Sequence, residues 1–376
     1  MNIGIVCYPT FGGSGVVATE LGMALANSGH QVHFITYNQP VRLDFMSKNL
    51  YFHEVFIEEY PLFQYQPYEL ALSSKIVEIS EKHQLDVLHV HYAIPHAYAA
   101  YMAKKMLQEK GISLKVVTTL HGTDITLVGS HPNYKSAVEF SINNSDVVTA
   151  VSESLKNTTN ELFNIKKEIQ VIYNFIDTAK YEKEANKECK RSALADLDEK
   201  ILVHVSNFRP VKRTEDVVKI FDLVQQKIPS KLLLVGDGPD RIKTEQLAKQ
   251  LGLTDQVLFL GNSSEVAKIL CYSDLFLLPS ATESFGLAAL EAMAASTVVI
   301  STNTGGLPEV NIHEKTGFLS NLGDVKTMAN NAIKVLSSPS MLEQMKKNAK
   351  QHSTHFGLDN VLTSYESIYN SCLLIE

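Results

Sequence analysis

The chain has 376 residues, of which 45% are hydrophobic and 20% charged, and its formal net charge is −7. These values are typical of a globular protein with two domains, and they exclude nucleic-acid binding through an overall positive charge. No apolar run reaches the roughly 18 residues of a membrane-spanning helix, so we predict no contact with a membrane.

The cysteines and the first residues indicate a cytoplasmic protein. Cys7, Cys189, Cys271 and Cys372 are scattered, without a C-x-x-C pair or a histidine at zinc-ligand spacing, so we expect reduced thiols and no metal site. The opening "MNIGIVCYPT" lacks the basic region and cleavage site of a signal peptide and is typical of a strand.

The chain repeats one pattern: a short β-branched run, a turn rich in Gly, Ser or Asn, and a helical segment. Runs that are apolar almost throughout predict parallel strands covered on both faces, and their alternation with helices predicts right-handed βαβ units. We predict an α/β fold of two Rossmann-like, doubly wound domains facing a central cleft. A charged connector favours a boundary that gives domains 1–172 and 173–356, with a terminal helix in 357–376 packing back on the first. The predicted strands are "IGIVCY", "QVHFIT", "DVLHVHY", "LKVVTTLHG" and "DVVTAVS", then "KILVHVSN", "KLLLVGDG", "QVLFLG", "LFLLPS" and "TVVIST".

The first strand is followed by a glycine loop, "FGGSG". Gly13, Gly15 and Ala18 fit the dinucleotide pattern G-x-G-x-x-A. A nicotinamide-dependent enzyme also needs an acid at the end of the second strand, where this chain has Asn38 and Gln39. We therefore favour a loop whose N–H groups face the anionic oxygens of another ligand, and a purely structural turn remains an alternative.

Histidines end two strands of the first half. His121 in "TLHGTD" follows the fourth strand, where it either contacts a ligand or packs in the core. His91 and His96 in "HVHYAIPHA" are expected to pack in the core.

In the second half, cations follow the first strand in "SNFRPVKR". Arg209, Lys212 and Arg213 stand at a helix start, where positive charge opposes the helix dipole, so the pattern favours an anionic ligand over a solvated cluster. Gly261 and Asn262 follow another strand, and they form either a simple turn or a loop that lines a ligand site.

Two acids flank a helix start in "PSATESFGLAALEAMA", separated by seven residues. Glu283 precedes the helix expected near Gly286, whose first N–H groups suit a phosphate. Glu291 lies further along among Ala, Leu and Met, and an acid in such surroundings needs a partner, for which ribose hydroxyls are suited.

Together these motifs resemble the retaining glycosyltransferases of family 4, which have the GT-B fold, over nearly the whole chain. The Glu, seven residues, Glu spacing is the most specific element. The blocks "CYPTFGGSGVVATELG", "HVHYAIPHA", "TLHGTDITLVG" and "SNFRPVKR" are most similar to the branch that transfers N-acetylglucosamine (GlcNAc) from uridine diphosphate (UDP) to the hydroxyl of L-malate, the first step of bacillithiol biosynthesis. The resemblance implies UDP-GlcNAc and L-malate as substrates, no metal or other cofactor, and no nucleic-acid partner; a homo-oligomer remains open.

The resemblance also implies roles for particular residues. His121, Glu283, Lys212 and Arg209 would act in catalysis, Glu291 would bind the ribose, and Arg209 would replace an arginine that many members carry at the position of Asn207. The implied donor-binding set is Gly13, Ser14, Gly15, Asn207, Arg209, Lys212, Gly261, Asn262, Glu283, Phe285, Gly286, Leu287 and Glu291. The acceptor candidates, which no motif marks, are Ser14, Tyr92, Thr119 and Arg241.

Four other functions are less consistent with these residues. A family member acting on a lipid or polysaccharide would be expected to carry a basic amphipathic surface, and "KKMLQEKGISLK" is too mixed in charge. A sugar-nucleotide epimerase needs acids in the first domain, where only Asp124 is a candidate. An oxidoreductase lacks its ribose acid, and a non-catalytic nucleotide-binding protein would not need the full charged set.

Overall fold

The computed structural model describes residues 1–10, 12–44, 47–57, 64–185, 191–196 and 198–374, with side chains except at 183–185 and 193. It divides into two compact units, the first formed by 1–174 with 358–376 and the second by 175–357. The boundaries between the units therefore follow residues 174 and 357, whereas the sequence predicted them after residues 172 and 356.

The first unit contains a seven-stranded sheet in the order β3-β2-β1-β4-β5-β6-β7, with every neighbouring pair parallel. Its strands are β1 (Asn2–Val6), β2 (Gln31–Thr36), β3 (Leu50–Glu54), β4 (Val87–His91), β5 (Lys115–Leu120), β6 (Val147–Ala150) and β7 (Ile169–Val171). Its helices are α1 (Gly13–Asn27), α2 (Tyr68–His83), α3 (Tyr98–Glu109), α4 (Pro132–Asn144) and α5 (Glu153–Leu162), with the C-terminal helix described below.

The second unit contains a six-stranded parallel sheet in the order β10-β9-β8-β11-β12-β13. Its strands are β8 (Lys200–Val205), β9 (Ser230–Val235), β10 (Val257–Gly261), β11 (Leu275–Leu278), β12 (Val298–Thr302) and β13 (Gly317–Ser320). Its helices are α6 (Thr178–Ala185), α7 (Thr214–Gln225), α8 (Arg241–Gln250), α9 (Val266–Cys271), α10 (Leu287–Ala294), α11 (Leu307–Val310), α12 (Val325–Leu336) and α13 (Pro339–Ser353).

Both sheets are doubly wound, which confirms the predicted fold class. The strand order reverses between β1 and β4 in one unit and between β8 and β11 in the other. In open α/β sheets, ligands bind beyond the carboxyl ends of the strands at such reversals. The loops after these four strands are therefore where each unit is expected to carry functional residues.

The ten predicted strands are present, and three more lie outside the prediction. β3 has no fully buried residue, β7 has three residues, and β13 begins at a glycine. All three are at a sheet edge, and none has the continuous apolar run that is typical of a central parallel strand.

The C-terminal helix α14 (Leu358–Leu374) belongs to the first unit. The hydroxyl of its Tyr369 is 2.7 Å from Nδ1 of the buried His89 in β4. This contact shows that α14 packs against the sheet of the first unit.

No helix among the described residues is both long and apolar enough to cross a membrane. Cys7, Cys271 and Cys372 form no disulfide bond among the described residues, while Cys189 lies outside them.

Candidate active site

The start of α1 packs tightly against the backbone that follows β1. A Cβ added to Gly15 would lie 2.5 Å from the carbonyl oxygen of Tyr8, so only glycine fits without displacement of the backbone. Gly13, Ser14 and Gly15 form the first turn of α1, whose N–H groups have no partner within the helix. The Ser14 hydroxyl is 2.7 Å from the Tyr92 hydroxyl in the loop after β4, so these two predicted acceptor residues lie together.

His121, which follows β5, is paired with a second histidine. Its Nε2 is 2.8 Å from Nδ1 of His91, with a proton on one of the two nitrogens. Burial, followed by the neighbouring His96, lowers the pKa of His121 to about 3, so the ring is neutral at physiological pH. Among the described residues its Nδ1 makes no hydrogen bond, and 8% of the residue is exposed. Within the described part of the chain, His121 is therefore a neutral imidazole with one nitrogen that a ligand can bind.

Asp124 holds the loops around this histidine rather than offering an acid to a substrate. Its Oδ1 accepts the backbone N–H groups of His121 and Gly122 at 3.3 and 3.0 Å, and its Oδ2 accepts that of Ala93 at 2.8 Å. Burial raises its pKa to about 6, and the three N–H groups oppose that rise. The residue is 2% exposed, which argues against its role as the epimerase acid.

Thr119 lies inside the sheet, and its predicted acceptor contact finds no support. It is 1% exposed within β5. Its hydroxyl is 2.7 Å from both His89 Nε2 and the Thr149 hydroxyl, and 3.1 Å from the Tyr365 hydroxyl. The sequence placed it near the strand end, but its side chain belongs to the buried network beneath α14.

In the second unit, Lys212 and Glu283 form an ion pair. Lys212 Nζ donates to Glu283 Oε1 at 2.6 Å, and the Ser280 hydroxyl donates to the same oxygen at 2.8 Å. Their side chains are 22% and 12% exposed. Because both bonds use Oε1, among the described residues Oε2 remains available, and the pair presents a cation beside a carboxylate oxygen.

Backbone contacts fix the segment that carries Glu283. The Ala281 N–H donates to the Val211 carbonyl at 2.8 Å, which joins this segment to the loop of Lys212. The Gly306 N–H donates to the Glu283 carbonyl at 2.9 Å, and a Cβ on Gly305 would lie 2.0 Å from that carbonyl oxygen. Gly305 also has a φ of 57°, so a larger residue there would displace Glu283.

Helix α10 begins at Leu287, directly after Gly286, as predicted. Leu287 and Ala288 are half-buried, so one side of the helix start is accessible. Glu291 lies on the same helix and is also half-buried. The Phe285 ring is buried against Phe356, with ring centroids 5.6 Å apart, so only its backbone is suited to the predicted donor contact.

The remaining predicted residues surround β8, β9 and β10. Asn207, Arg209 and Asn262 are exposed, and Gly261 ends β10 with a φ of 64°. Arg241 is at the start of α8, where its Nε donates to Glu245 at 2.8 Å. To bind the acceptor, the Arg241 guanidinium would therefore have to leave Glu245 or contact Glu245 and the acceptor together.

Comparison with known proteins places the chain in one family. Residues 11–180 match "Glycosyltransferase Family 4" and residues 186–352 match "Glycosyl transferases group 1". The chain is 49% identical over 374 residues to N-acetyl-alpha-D-glucosaminyl L-malate synthase of Bacillus anthracis, covering 99% of this chain and 97% of that protein. The chain is a family 4 glycosyltransferase.

More distant proteins share its length and fold. An uncharacterized glycosyltransferase of Methanocaldococcus jannaschii is 29% identical, with 95% of this chain and 94% of that protein covered. Among solved structures, HepE of Anabaena in complex with UDP and glucose has a TM-score of 0.82 at 20% identity, with 99% and 100% of the chains covered. Sucrose-phosphate synthase from Thermosynechococcus elongatus has a TM-score of 0.79 at 21% identity over the whole of both chains. These structures show that the glycosyltransferase has the GT-B fold, as the sequence resemblance predicted.

Sequence reasoning missed the residues that support this glycosyltransferase's charged groups. Ser280 precedes Glu283 by three residues in the loop after β11, and Gly305 and Gly306 follow β12; none of the three is in the predicted set. The spacing of "TNTGGLPEV" gives no sign of the contact with Glu283, which the fold creates between two separate loops.

Proposed function

We propose that this glycosyltransferase moves GlcNAc from UDP-GlcNAc to the hydroxyl group of L-malate, with retention of the α configuration. The observation that carries the proposal is the 49% identity, over nearly the full length of both chains, with the malate synthase of Bacillus anthracis. The reaction is the proposed first step of bacillithiol biosynthesis.

The donor is proposed to bind the second unit through its charged groups. Lys212 and the N–H groups at Gly286 and Leu287 neutralise the diphosphate, because unpaired N–H groups and a cation both favour anionic oxygens. Arg209 adds a second cation. The free Oε2 of Glu283 accepts a sugar hydroxyl, and this role is supported by the orientation that Lys212 and Ser280 impose on the carboxylate.

The transfer itself is proposed to follow a front-face mechanism. The bond between the sugar C1 and the diphosphate oxygen breaks, C1 bonds to the malate hydroxyl oxygen on the same face, and the hydroxyl proton moves to the departing diphosphate. The leaving group accepts the proton, so a protein base is unnecessary. The protein contributes by positioning both substrates and by stabilising the negative charge that develops on the diphosphate.

The acceptor and the sugar are proposed to contact residues of the first unit. The hydroxyls of Ser14 and Tyr92 are 2.7 Å apart, so one donates to the other, and the second O–H is proposed to donate to a malate carboxylate. The neutral His121 is proposed to orient the sugar through Nδ1. Thr119 is left out because of its burial. Arg241, which lies in the second unit, is not part of this proposed contact and stays a prediction.

The assay of this function combines the protein with UDP-GlcNAc and, separately, L-malate, D-malate, L-lactate or succinate. We expect release of UDP and a GlcNAc adduct of L-malate, identified by mass, and no adduct of succinate, which lacks a hydroxyl group. Since no metal is proposed to take part, a parallel reaction in EDTA should proceed at the same rate. Transfer to another acceptor but not to L-malate would refute L-malate as the acceptor. Loss of transfer in EDTA, by protein that circular dichroism shows to be folded, would refute the metal-free chemistry.

Glu291 is proposed to accept both hydroxyls of the donor ribose. Glu291→Gln should weaken UDP binding about 10-fold, because hydrogen bonds to a charged group contribute about 1.5–3 kcal/mol and the amide keeps only part of that interaction. Isothermal titration with UDP measures the change. Glu265→Gln, at an exposed acid of the same unit, should leave the affinity unaltered. Equal affinity of Glu291→Gln and the original protein would remove this residue from the ribose site.

A further inference from the structure

A group of three histidines lies at the β3 edge of the first sheet and is separate from every residue assigned to the donor or acceptor. His33 is in β2, His53 is in β3, and His83 is the last residue of α2. In the β2–β3 register, His33 is opposite Tyr51 and Ile35 is opposite His53. Because alternate residues of a strand share a face, His33 and His53 project from the same face of the sheet. The end of α2 brings the third imidazole to them.

The three rings have the spacing of metal ligands. One ring nitrogen from each residue lies within 4.8 Å of the others. The closest pair, His33 Nδ1 and His53 Nε2, is 2.9 Å apart. Two nitrogens bound to a tetrahedral ion at about 2.05 Å are about 3.3 Å apart. Small rotations of the side chains therefore suffice to place all three nitrogens around one ion, which would replace the proton shared by His33 and His53.

Burial also favours a ligand here. His33 is 2% exposed, and among the described residues Nε2 of His83 is buried without a hydrogen-bond partner. Such an atom loses its water without gaining a partner, a cost that a bound ion would remove. Tyr51, 41% exposed and stacked on His33, lies beside the solvent-facing edge from which an ion can enter.

We propose that His33, His53 and His83 bind one divalent transition-metal ion, with Zn²⁺ as the principal candidate. Three imidazoles select zinc, copper or nickel over magnesium and calcium, which prefer oxygen ligands. Among the described residues no cysteine, aspartate or glutamate joins the group, so the fourth position of a tetrahedral ion is open to water. The ion joins β2, β3 and the end of α2, and its role is to stabilise this edge of the first unit.

The test uses the full-length, tag-free protein, stripped with EDTA and then dialysed free of the chelator. Titration with Zn²⁺ should show one site per chain by calorimetry and by elemental analysis. Co²⁺ in the same site should give the intense visible absorption of a tetrahedral complex. His53→Gln and His83→Gln should each lower the Zn²⁺ affinity at least about 100-fold, since even loss of an outer hydrogen bond to a ligand costs 10- to 100-fold.

A matched control is His131→Gln, at an exposed histidine that caps α4 in the same unit. This variant should bind Zn²⁺ like the original protein. Zn²⁺ at 100 times its Kd should raise the Tm of the original protein and of the control, but not of His53→Gln. Circular dichroism verifies that each variant is folded.

The proposal is overturned if the original protein binds no Zn²⁺ stoichiometrically, or if both ligand variants keep its affinity; the histidines are then only a neutral stack in the sheet. Because these readouts do not involve sugar transfer, they remain valid if the proposed acceptor is wrong. Conversely, failure to bind Zn²⁺ leaves the transfer proposal intact.

Discussion

Lys212→Ala is expected to lower kcat about 100- to 1,000-fold, the range found when one group that stabilises developing charge is removed from an active site. The departing diphosphate gains negative charge as the sugar bond breaks. Lys212 is already held in place by Glu283 at 2.6 Å, so its charge needs little reorganisation during the reaction. Steady-state rates with saturating UDP-GlcNAc and L-malate measure the effect.

Two controls separate the catalytic role of Lys212 from a structural one. Lys219→Ala removes a more exposed lysine on α7, paired with Asp216 at 3.2 Å, and should retain nearly full activity. Glu283→Gln keeps the size of the side chain but ends the ion pair. If the pair only stabilised the fold, Lys212→Ala and Glu283→Gln would lower Tm while leaving kcat near normal, and Lys212 would then have no place in the diphosphate site.

The charged residues were easier to predict than their contacts. Glu283 and Glu291 were identifiable because a strand, a loop and a helix start are local features with clear sequence signals, and the helix begins beside Gly286 as expected. The pairing of Lys212 with Glu283 joins residues 71 positions apart. Such a contact depends on the order of β8 and β11 in the sheet, which the pattern of apolar runs does not specify.

The error at Thr119 has a related cause. A one-residue difference along a strand moves a side chain to the opposite face. The sequence "VVTTLHG" indicates the end of a strand, but it does not indicate which of its polar side chains face the helices packed on the sheet. Here Thr119 faces a helix that comes from the other end of the chain, through Tyr365. No local pattern around residue 119 contains that information.

The histidines of the first unit illustrate the same limit. The expectation of core packing fits His96, which is fully buried and whose Nδ1 is 2.6 Å from the His91 carbonyl oxygen. His91 is buried as well, yet it is also the partner of His121. Its Nε2 has no hydrogen-bond partner among the described residues. His91, which was predicted to pack in the core, thus holds the ring of His121 in place. A change at His91 would therefore affect transfer only indirectly, through His121.

His121→Ala is expected to lower kcat about 100-fold, with a smaller change in KM, because the ring is proposed to orient the sugar during bond breaking. His121→Asn, which restores one amide group near the position of the lost ring nitrogen, should recover part of the rate. His131→Gln serves again as the exposed control and should be fully active. If His121→Ala and His121→Asn lowered Tm and left kcat unchanged, His121 would only support the fold.

The pH profile tests the charge state on which that orientation depends. With a pKa of about 3, His121 is neutral throughout the range roughly from pH 5 to 8, so the rate should show no step from this ring near 6.5. Had the reaction needed the protonated ring, the rate would fall as pH rises through its pKa. The informative quantity is the ratio of the original rate to that of His121→Asn, in which the titration of Asp124, with a pKa of about 6, cancels. A ratio that drops as pH increases from 5 to 8 would contradict the neutral imidazole, whereas a constant ratio follows from a ring that burial keeps unprotonated.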